Sequence, residues 1–259
     1  MFYVTNKDKL ISVAIALSTV LVLFLLAATF KSNNLNSSIQ TSASPSKLLP
    51  IYSVDTEENK VALTINCAWN AEDIDLILET LSKNEVKATF FMVGDWVSKF
   101  PDAVKKIYES GNEIANHSES HSHVNNLNYE KNVEEITKCS DRIKRVTGNS
   151  TTLYRGPYGE YNDTVVKASQ DCNHIMVQWN IDSLDYKGLT GEQMWDRIKP
   201  KLENGSIILM HNGTENTALS LDMIIKNIKQ EGYDLVTVSD LIYKENYTID
   251  NNGVQHKLQ

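Results

Sequence analysis

The chain has 259 residues, of which 41% are hydrophobic and 22% are charged. This composition is ordinary for a globular protein and excludes disorder over the whole length. The 25 Lys and Arg residues against 33 Asp and Glu residues give a net charge of -8, and no basic block stands out. We therefore expect no nucleic acid among the partners, because binding phosphates requires clustered cations.

The chain begins with an uncharged apolar stretch. Residues 10–30 contain no charged side chain, and about 20 such residues let an α-helix cross the hydrocarbon core of a bilayer. A cleaved signal peptide is the alternative, although it usually has a shorter apolar core and a small-residue cleavage site. Lys7 and Lys9 precede the stretch and only Lys31 closely follows it. This pattern favours an uncleaved single-pass anchor in the cell membrane, with residues 1–9 in the cytoplasm and the rest outside.

Polar stretches flank the central region on both sides. Residues 31–58 are dominated by Ser, Asn and Thr and predict a flexible linker with a reach of about 30 Å. Residues 246–259 are polar enough to predict a frayed tail. Residues 59–245 remain as a single folded domain.

Short apolar runs alternate with amphipathic stretches through this domain. The runs predict seven strands buried on both faces, as in a parallel sheet; they are residues 61–69, 87–94, 112–117, 152–159, 174–182, 206–212 and 234–242. Residues 71–84 and 129–148 have apolar side chains at helical spacing, and the second stretch stops at Gly148, a residue typical of a helix end.

Alternating strands and helices predict one α/β domain, most simply with a barrel-like closed sheet. An open doubly wound sheet is the competing architecture. That fold usually carries a glycine-rich phosphate loop after its first strand, whereas this chain has the sequence CAWN at residues 67–70.

Ionisable and polar residues follow five of the predicted strands. Because catalytic groups of parallel α/β folds gather at the carboxyl ends of strands, this pattern predicts one shared site. The residues are Asn66 and Cys67, His117 to His123, Arg155 to Tyr158, Asp182 and Asp185, and His211.

Two of these histidines have the spacing of a metal-binding pair. His117 and His121 are four residues apart, so both imidazoles face the same point if a helix begins there with Ser118 as its cap. Imidazole pairs suit Zn and other first-row divalent metals. His123, two residues further on, is interpreted as a bystander.

The motifs NHSESH, LYRGPYG, DSLDY and ILMH, in this order and spacing, resemble those of the polysaccharide deacetylases, the NodB-homology or carbohydrate esterase 4 family. The similarity covers about residues 59–243. It implies a distorted (β/α)7 barrel. It also implies metal-dependent hydrolysis of N-acetyl groups, with an N-acetylated glycan such as peptidoglycan as the partner.

The resemblance also implies roles for single residues. His117 and His121 hold a divalent metal, for which we expect Zn first and Co as the alternative. His211 is the general acid that protonates the departing amine. Arg155 is positioned by Asp182 or by Asp185, and it orients the group at the position of the catalytic base.

Four further residues are expected to contact the glycan. The backbone N–H of Tyr158, which follows Pro157 in the same motif, is expected to bind the developing oxyanion. Trp179 and Tyr186 supply apolar walls for sugar rings, although core packing explains Trp179 equally well.

The first motif departs from the family pattern. The family usually has TFDDG, with the catalytic base and a metal ligand as its two aspartates, where residues 64–68 read TINCA. Asn66 replaces the base, and an amide does not accept a proton at neutral pH. Cys67 replaces the ligand, and its sulfur either completes a Cys-His-His zinc site or fills the core. Glu72 or Asp73 reaching back to the metal is a third alternative.

Two functions therefore stay open. The first is a membrane-anchored, extracytoplasmic, metal-dependent polysaccharide N-deacetylase that is weakened by the loss of its base. The second is a catalytically inactive glycan-binding module. A metallophosphatase is disfavoured, because such sites rely on several Asp ligands and none follows the first strand.

Overall fold

A computed structural model describes residues 47–258. The apolar stretch at residues 10–30 lies outside this range. Among the residues described, no helix is long and apolar enough to span a membrane.

A curled sheet of parallel strands forms the centre of the domain. In chain order the described strands are β1 (Ser53–Val54), β2 (Lys60–Cys67), β3 (Thr89–Met92), β4 (Glu113–Asn116), β5 (Leu153–Tyr154), β6 (Ile175–Met176), β7 (Ile181–Asp182), β8 (Ile207–His211), β9 (Asp234–Val236), β10 (Tyr247–Ile249) and β11 (Val254–Lys257). The main sheet has the order β6-β5-β4-β3-β2-β8-β7, and β9 also pairs with β2. From β2 to β6 the strands follow one another without reversal, which excludes the doubly wound alternative.

Helices connect most of these strands. They are α1 (Ile74–Lys83), α2 (Gly94–Lys99), α3 (Pro101–Glu109), α4 (Tyr129–Thr147), α5 (Asp163–Asp171), α6 (Gly191–Ile198), α7 (Thr217–Gln230) and α8 (Val238–Leu241). The prediction for α4 is confirmed, since Asn128 caps its first turn and Gly148 ends it with a φ of 78°. That positive φ is the left-handed conformation that glycine adopts without strain.

The two faces of β2 show why the apolar runs are continuous. Leu63, Ile65 and Cys67 pack in the apolar layer between the sheet and the helices. Ala62 packs on the opposite, concave face, in a second apolar cluster. Both faces are buried, so an alternating pattern of apolar and polar residues is absent from most of the strand. Towards its carboxyl end the concave face becomes polar, with Asn66.

Two predicted strands are divided in the structure. The run at residues 174–182 forms β6 and β7, which lie at opposite ends of the sheet order. Ile51 forms a bridge to Val177, in the segment that joins β6 to β7. The sheet of seven strands is therefore curled, but β6 and β7 do not pair directly with each other. The run at residues 234–242 forms β9 and then α8, because Thr237 caps a helix by accepting a bond from the Asp240 N–H.

The predicted limits of the linker and of the tail are wrong. A second sheet of order β1-β11-β10 takes in residues from both. Ile51 and Val54 are buried, although they lie within the predicted linker at residues 31–58. In the predicted tail, Gln255 is fully buried and exchanges two hydrogen bonds with the backbone of Tyr243. Short strands fixed by a few buried side chains leave little trace in a polar composition.

Candidate functional site

A cavity of about 390 Å³ opens at the carboxyl ends of the parallel strands. It is lined by Asn66, Ala68, Trp69, His117, His121, Tyr158, Gly159, Trp179, Asp182, Tyr186, Leu209 and His211. Eight of the eleven side chains expected at the site are in this lining. Arg155, Pro157 and Cys67 are absent from it.

Arg155 lies beneath the cavity floor and is fully buried. Its Nη1 donates to Thr64 Oγ1 and to Asn66 Oδ1, both at 2.9 Å, and its other nitrogens donate to backbone carbonyls of Val177 and Gln178. The guanidinium also lies 3.9 Å from the centre of the Phe91 ring. Burial lowers the pKa of Arg155 to about 9, so the group stays charged at neutral pH.

The prediction that Asp182 or Asp185 positions Arg155 is therefore wrong. Neither Asp182 nor Asp185 is among its hydrogen-bond partners, and no described carboxylate lies within 4.0 Å of its nitrogens. Asp182 instead accepts a bond from the Leu184 N–H at 2.9 Å and lines the cavity. All the hydrogen-bond acceptors of Arg155 are neutral oxygen atoms.

Asn66 connects Arg155 to His117. A guanidinium only donates, so the oxygen of the Asn66 amide faces Arg155 and its nitrogen faces His117 Nε2 at 3.2 Å. His117 Nδ1 lies 2.7 Å from the carbonyl oxygen of Arg155 and donates to it. Nε2 is then the unprotonated nitrogen, and it accepts the bond from Asn66.

Charge and burial keep His117 neutral. Burial lowers its pKa well below the usual value, and the neighbouring His121, Arg155 and His211 lower it further. Burial also lowers the pKa of His121, with a contribution from His211. The lone pair of His117 Nε2, where a metal binds an imidazole, is hydrogen-bonded within the chain.

The two histidines converge through a turn rather than a helix. Ser118 and His121 have φ values of 71° and 56°, so the predicted helix and its Ser118 cap are absent. Ser118 instead donates from its hydroxyl to Glu135 on α4, and Ser120 donates to the same carboxylate from its N–H and its hydroxyl. The ring centres of His117 and His121 are 5.2 Å apart.

On the opposite side of the cavity, His211 is paired with a carboxylate. Its Nδ1 and backbone N–H lie 2.8 and 2.6 Å from the two oxygens of Asp185. Asp185 is fully buried and also accepts bonds from the Thr217 hydroxyl and the Tyr186 N–H. The pair holds the imidazole in one orientation with Nε2 free for a ligand, which suits a general acid.

Tyr158 forms one rim of the cavity. Its φ is 59°, and its ring stacks on His123 with centres 4.2 Å apart and meets the edge of His121. His123 is held in turn by Glu160 at 2.7 Å, so it supports the rim and is not a bystander. Pro157 is buried at the start of the same short turn.

Three other aromatic side chains line the cavity. Trp179 is half-buried and lies against Gly159 and the Arg155 guanidinium. It therefore both packs against buried groups and lines the cavity. Tyr186 and Trp69 flank His211, with ring centres 5.3 Å from it in each case. Trp69 was not among the expected site residues, although its place directly after β2 is a signal that sequence reasoning could have used.

Cys67 does not belong to the cavity. It is fully buried in the apolar layer between the sheet and the helices, where burial raises the pKa of its thiol well above the usual value. Asp73 is also engaged elsewhere, since it accepts bonds from Asn212 and Gly213. The Cys-His-His set is therefore not formed, and the described residues contain no cluster of three His, Cys, Asp or Glu side chains arranged for a metal.

Comparisons with known proteins point to one family. The family model described as polysaccharide deacetylase matches residues 53–177. The peptidoglycan-N-acetylglucosamine deacetylase of Bacillus cereus is 32% identical over 186 residues, which are 70% of this chain and 68% of that protein. The chain belongs to the polysaccharide deacetylase family. Its homologues include hydrolases that act on the carbon–nitrogen bond of an amide.

The family includes enzymes and pseudoenzymes. The crystal structure of BA3943 from Bacillus anthracis, called a carbohydrate esterase 4 pseudoenzyme, has a TM-score of 0.73 and 31% identity, covering 80% of this chain and 72% of that one. A mutant of BA3943 with restored enzymatic activity has a TM-score of 0.72 and 33% identity, covering 74% and 70%. The uncharacterized protein YlxY of Bacillus subtilis is 34% identical over 193 residues, which are 74% of this chain and 60% of its own length.

Proposed function

We propose that the cavity binds an N-acetylated glycan such as peptidoglycan, and that Asn66 leaves the chain with little or no deacetylase activity. The observation that carries this proposal is the hydrogen-bond chain from Arg155 through Asn66 to His117. The other residues of the cavity retain the chemistry needed to hold a sugar.

Asn66 removes two requirements of the family's reaction. Its amide does not accept a proton at neutral pH, so the position of the base is chemically inert. Its N–H also bonds to Nε2 of His117. The third metal ligand of the family is also missing, because the Cys67 side chain at its position lies in the apolar core. The residues present therefore do not fit the three-ligand divalent site of the family.

Exposed aromatic rings around the cavity support a sugar ligand. Trp69, Tyr158 and Tyr186 are 48%, 59% and 46% exposed, which is unusual for large apolar side chains that line the same cavity. The C–H faces of a pyranose ring stack on such surfaces, while its hydroxyl and acetamido groups reach polar atoms below. An extended glycan can contact more than one of these rings.

Calorimetric titration of the full chain with N-acetylglucosamine oligomers tests glycan binding. We expect saturable binding without acetate release, and a loss of about threefold to tenfold in affinity for Trp69→Ala. Tyr129→Ala is the matched control, because Tyr129 is exposed on α4 and bonds to Asp171 away from the cavity. Absence of binding, or equal losses in both variants, contradicts the proposal.

Weak N-deacetylation with Zn or Co is a second candidate, favoured by the intact His211–Asp185 pair. A binding module does not need an oriented imidazole beside the ligand. Acetate release measured with either metal, against a His117→Ala control, separates the candidates. Release that depends on His117 favours the enzyme.

We also propose that the domain is held at the outer face of the cell membrane. The support is the uncharged stretch at residues 10–30 and the lysines that precede it. Fractionation of cells expressing the full chain and a chain lacking residues 10–30 tests this. The full chain is expected in the membrane fraction and accessible to protease added outside. Recovery of both chains in the same fraction contradicts the anchor.

A further inference from the structure

We infer that His174, a buried residue outside the cavity, positions the turn that carries His117 and His121. It acts through a chain of buried hydrogen bonds that ends on the unprotonated nitrogen of its ring. The effect on the turn stands on these bonds alone, whereas its consequence for ligand binding rests on the proposed glycan function.

His174 is fixed in place directly before β6. It is buried, its backbone N–H donates to the Ser169 carbonyl at 2.9 Å, and its own carbonyl accepts a bond from the Ser169 hydroxyl at 3.1 Å. Its Nδ1 lies 2.8 Å from the carbonyl oxygen of Cys172 and donates to it, since a carbonyl only accepts. In the neutral ring, Nε2 is therefore the acceptor.

Two hydroxyl groups meet this acceptor. Thr151 Oγ1, ahead of β5, lies 2.8 Å from His174 Nε2, and Ser140 Oγ, on α4, lies 3.2 Å from it. The two hydroxyl oxygens are 2.9 Å apart. The shorter contact assigns the Thr151 hydrogen to His174, which leaves the Ser140 hydrogen for Thr151. The bonds thus run in one direction, from α4 to His174.

Asn116, the fully buried last residue of β4, is the other end of the chain. Its Oδ1 accepts a bond from the Ser118 N–H at 2.8 Å. Its amide nitrogen therefore faces Ser140 Oγ at 2.8 Å and the Ile136 carbonyl at 2.7 Å, and donates to both. The backbone carbonyl of Asn116 also accepts the Arg155 N–H at 2.9 Å. The lone pair of His174 thus completes a chain in which every donor has an acceptor.

This chain supports the backbone on both sides of His117. Asn116 precedes His117, and Ser118 follows it with a φ of 71°, a conformation that costs a serine free energy and persists only where its surroundings impose it. Without the acceptor on His174, one buried hydroxyl hydrogen has no partner, which is costly. The bonds of Asn116, and the turn with them, are then expected to loosen.

The setting of His174 favours the neutral ring that the chain needs. Burial lowers its pKa, although its bond to the Cys172 carbonyl acts in the opposite direction. Within the described part of the chain, the histidines that pair with carboxylates are His123, His211 and His256. His174 is not one of them, so no ion pair there favours a second proton on its ring.

Two substitutions at position 174 test the lone pair. His174→Leu removes the acceptor, whereas His174→Gln supplies an amide oxygen that accepts a bond from Thr151. Both lose the bond to Cys172, so the difference between them reports on the acceptor. Hydrogen exchange of the Ser118 amide in the full chain at pH 7 measures the turn. We expect exchange about tenfold faster than in the wild type for His174→Leu, and within about threefold of the wild type for His174→Gln.

The Ala62 amide is the internal control, because it donates to the Ser206 carbonyl in the main sheet at 2.8 Å and reports on opening of the whole domain. Faster exchange at Ser118 without a matching change at Ala62 supports the positioning role. Equal changes at both amides, or equal changes in His174→Leu and His174→Gln, overturn it, because they show that His174 only packs.

Ser140→Ala cuts the chain between Asn116 and His174, and it serves where His174→Leu does not fold. It is expected to speed Ser118 exchange by itself and to remove the difference between leucine and glutamine at position 174. Unchanged Ser118 exchange in folded Ser140→Ala overturns the inference.

Glycan binding is the second readout. N-acetylglucosamine oligomers are expected to bind His174→Leu about threefold to tenfold more weakly than the wild type, and His174→Gln within about twofold. His256→Gln is the control, because His256 lies in the second sheet and bonds to Asp55. Equal affinities of wild type and His174→Leu overturn the effect on binding. The expected exchange pattern in a wild-type chain that binds no glycan contradicts the proposed function and leaves the positioning role standing.

Discussion

The two sides of the cavity present histidines in opposite settings. On the side of β8, His211 bonds to the fully buried carboxylate of Asp185. On the side of β2, His117 bonds to the neutral amide of Asn66. The first pair keeps an oriented imidazole beside a charge. In the second, the Asn66 amide cannot accept a proton from water, and the lone pair of His117 Nε2 is engaged in the hydrogen bond from Asn66.

Under the proposed function, the difference shows how a site can lose its chemistry without losing its packing. The Asn66 oxygen accepts a bond from Arg155, and its nitrogen donates to His117. Each buried neighbour is thus satisfied by a side chain with nearly the volume of aspartate. The buried hydrogen bonds therefore stay satisfied, and we expect no loss of stability from the amide.

The substitution Asn66→Asp gives the largest expected effect. A carboxylate at this position accepts a proton, pairs with Arg155 and no longer donates to His117. General-base assistance is worth about 10² to 10⁴ in rate, so with Zn supplied we expect acetate release from N-acetylglucosamine oligomers to rise over the wild-type chain by at most that factor, since Cys67 in the core still supplies no third metal ligand. A folded variant without such a rise shows that the β2 side lacks more than its base. The same substitution in a His211→Ala chain is the control and is expected to gain far less.

Asp185→Asn tests the β8 side. Asp185 is fully buried and accepts four hydrogen bonds, including two from His211. Replacing the charged acceptor by an amide leaves an N–H facing donors, so we expect the free energy of unfolding to fall by about 2 to 3 kcal/mol. Urea unfolding measures this. Asp182→Asn is the matched control, with a smaller loss expected because Asp182 is less buried and accepts one backbone bond.

The motifs predicted which strand ends meet, but they did not predict which side chains pair there. Asp182 and Asp185 stand three residues apart, and the sequence offers no rule for choosing between them. The choice depends on a turn in which Leu184 has a φ of 54°, a conformation that leucine adopts only when its surroundings impose it. The sequence likewise offers no rule that predicts the left-handed turn joining His117 to His121.

The setting of Cys67 could have been predicted. Successive side chains of a strand point to opposite faces, so if Asn66 faces the cavity, Cys67 faces the helices. The α/β class, the boundaries of α4 and most of the cavity lining were accessible in the same way, from periodicity and strand ends. The sheet formed by β1, β10 and β11 was not, because its strands have two to four residues each.

Glu135→Ala tests whether the turn that carries the histidines on the β2 side depends on α4. Its carboxylate accepts bonds from Ser118 and Ser120, so we expect a loss of about 1 to 2 kcal/mol in unfolding free energy and weaker glycan binding. Glu134→Ala is the control, because the neighbouring Glu134 pairs only with exposed Lys131 and Lys138. Equal effects of the two substitutions contradict a positioning role for Glu135.

The smallest expected effect is the pH dependence contributed by His117. Burial lowers its pKa in the folded chain, so below about pH 6.5 the unfolded chain binds a proton that the folded chain does not. The free energy of unfolding therefore falls as the pH decreases from 7 towards 5, and this part of the decrease disappears in His117→Gln.

His256 contributes a pH dependence of the opposite sign, because its bond to Asp55 raises its pKa. The stability that it contributes is present at low pH and lost as the pH rises. Urea unfolding across this range should give a flatter profile for His117→Gln and a steeper one for His256→Gln. Parallel profiles for wild type and His117→Gln contradict a neutral, buried His117 on the β2 side.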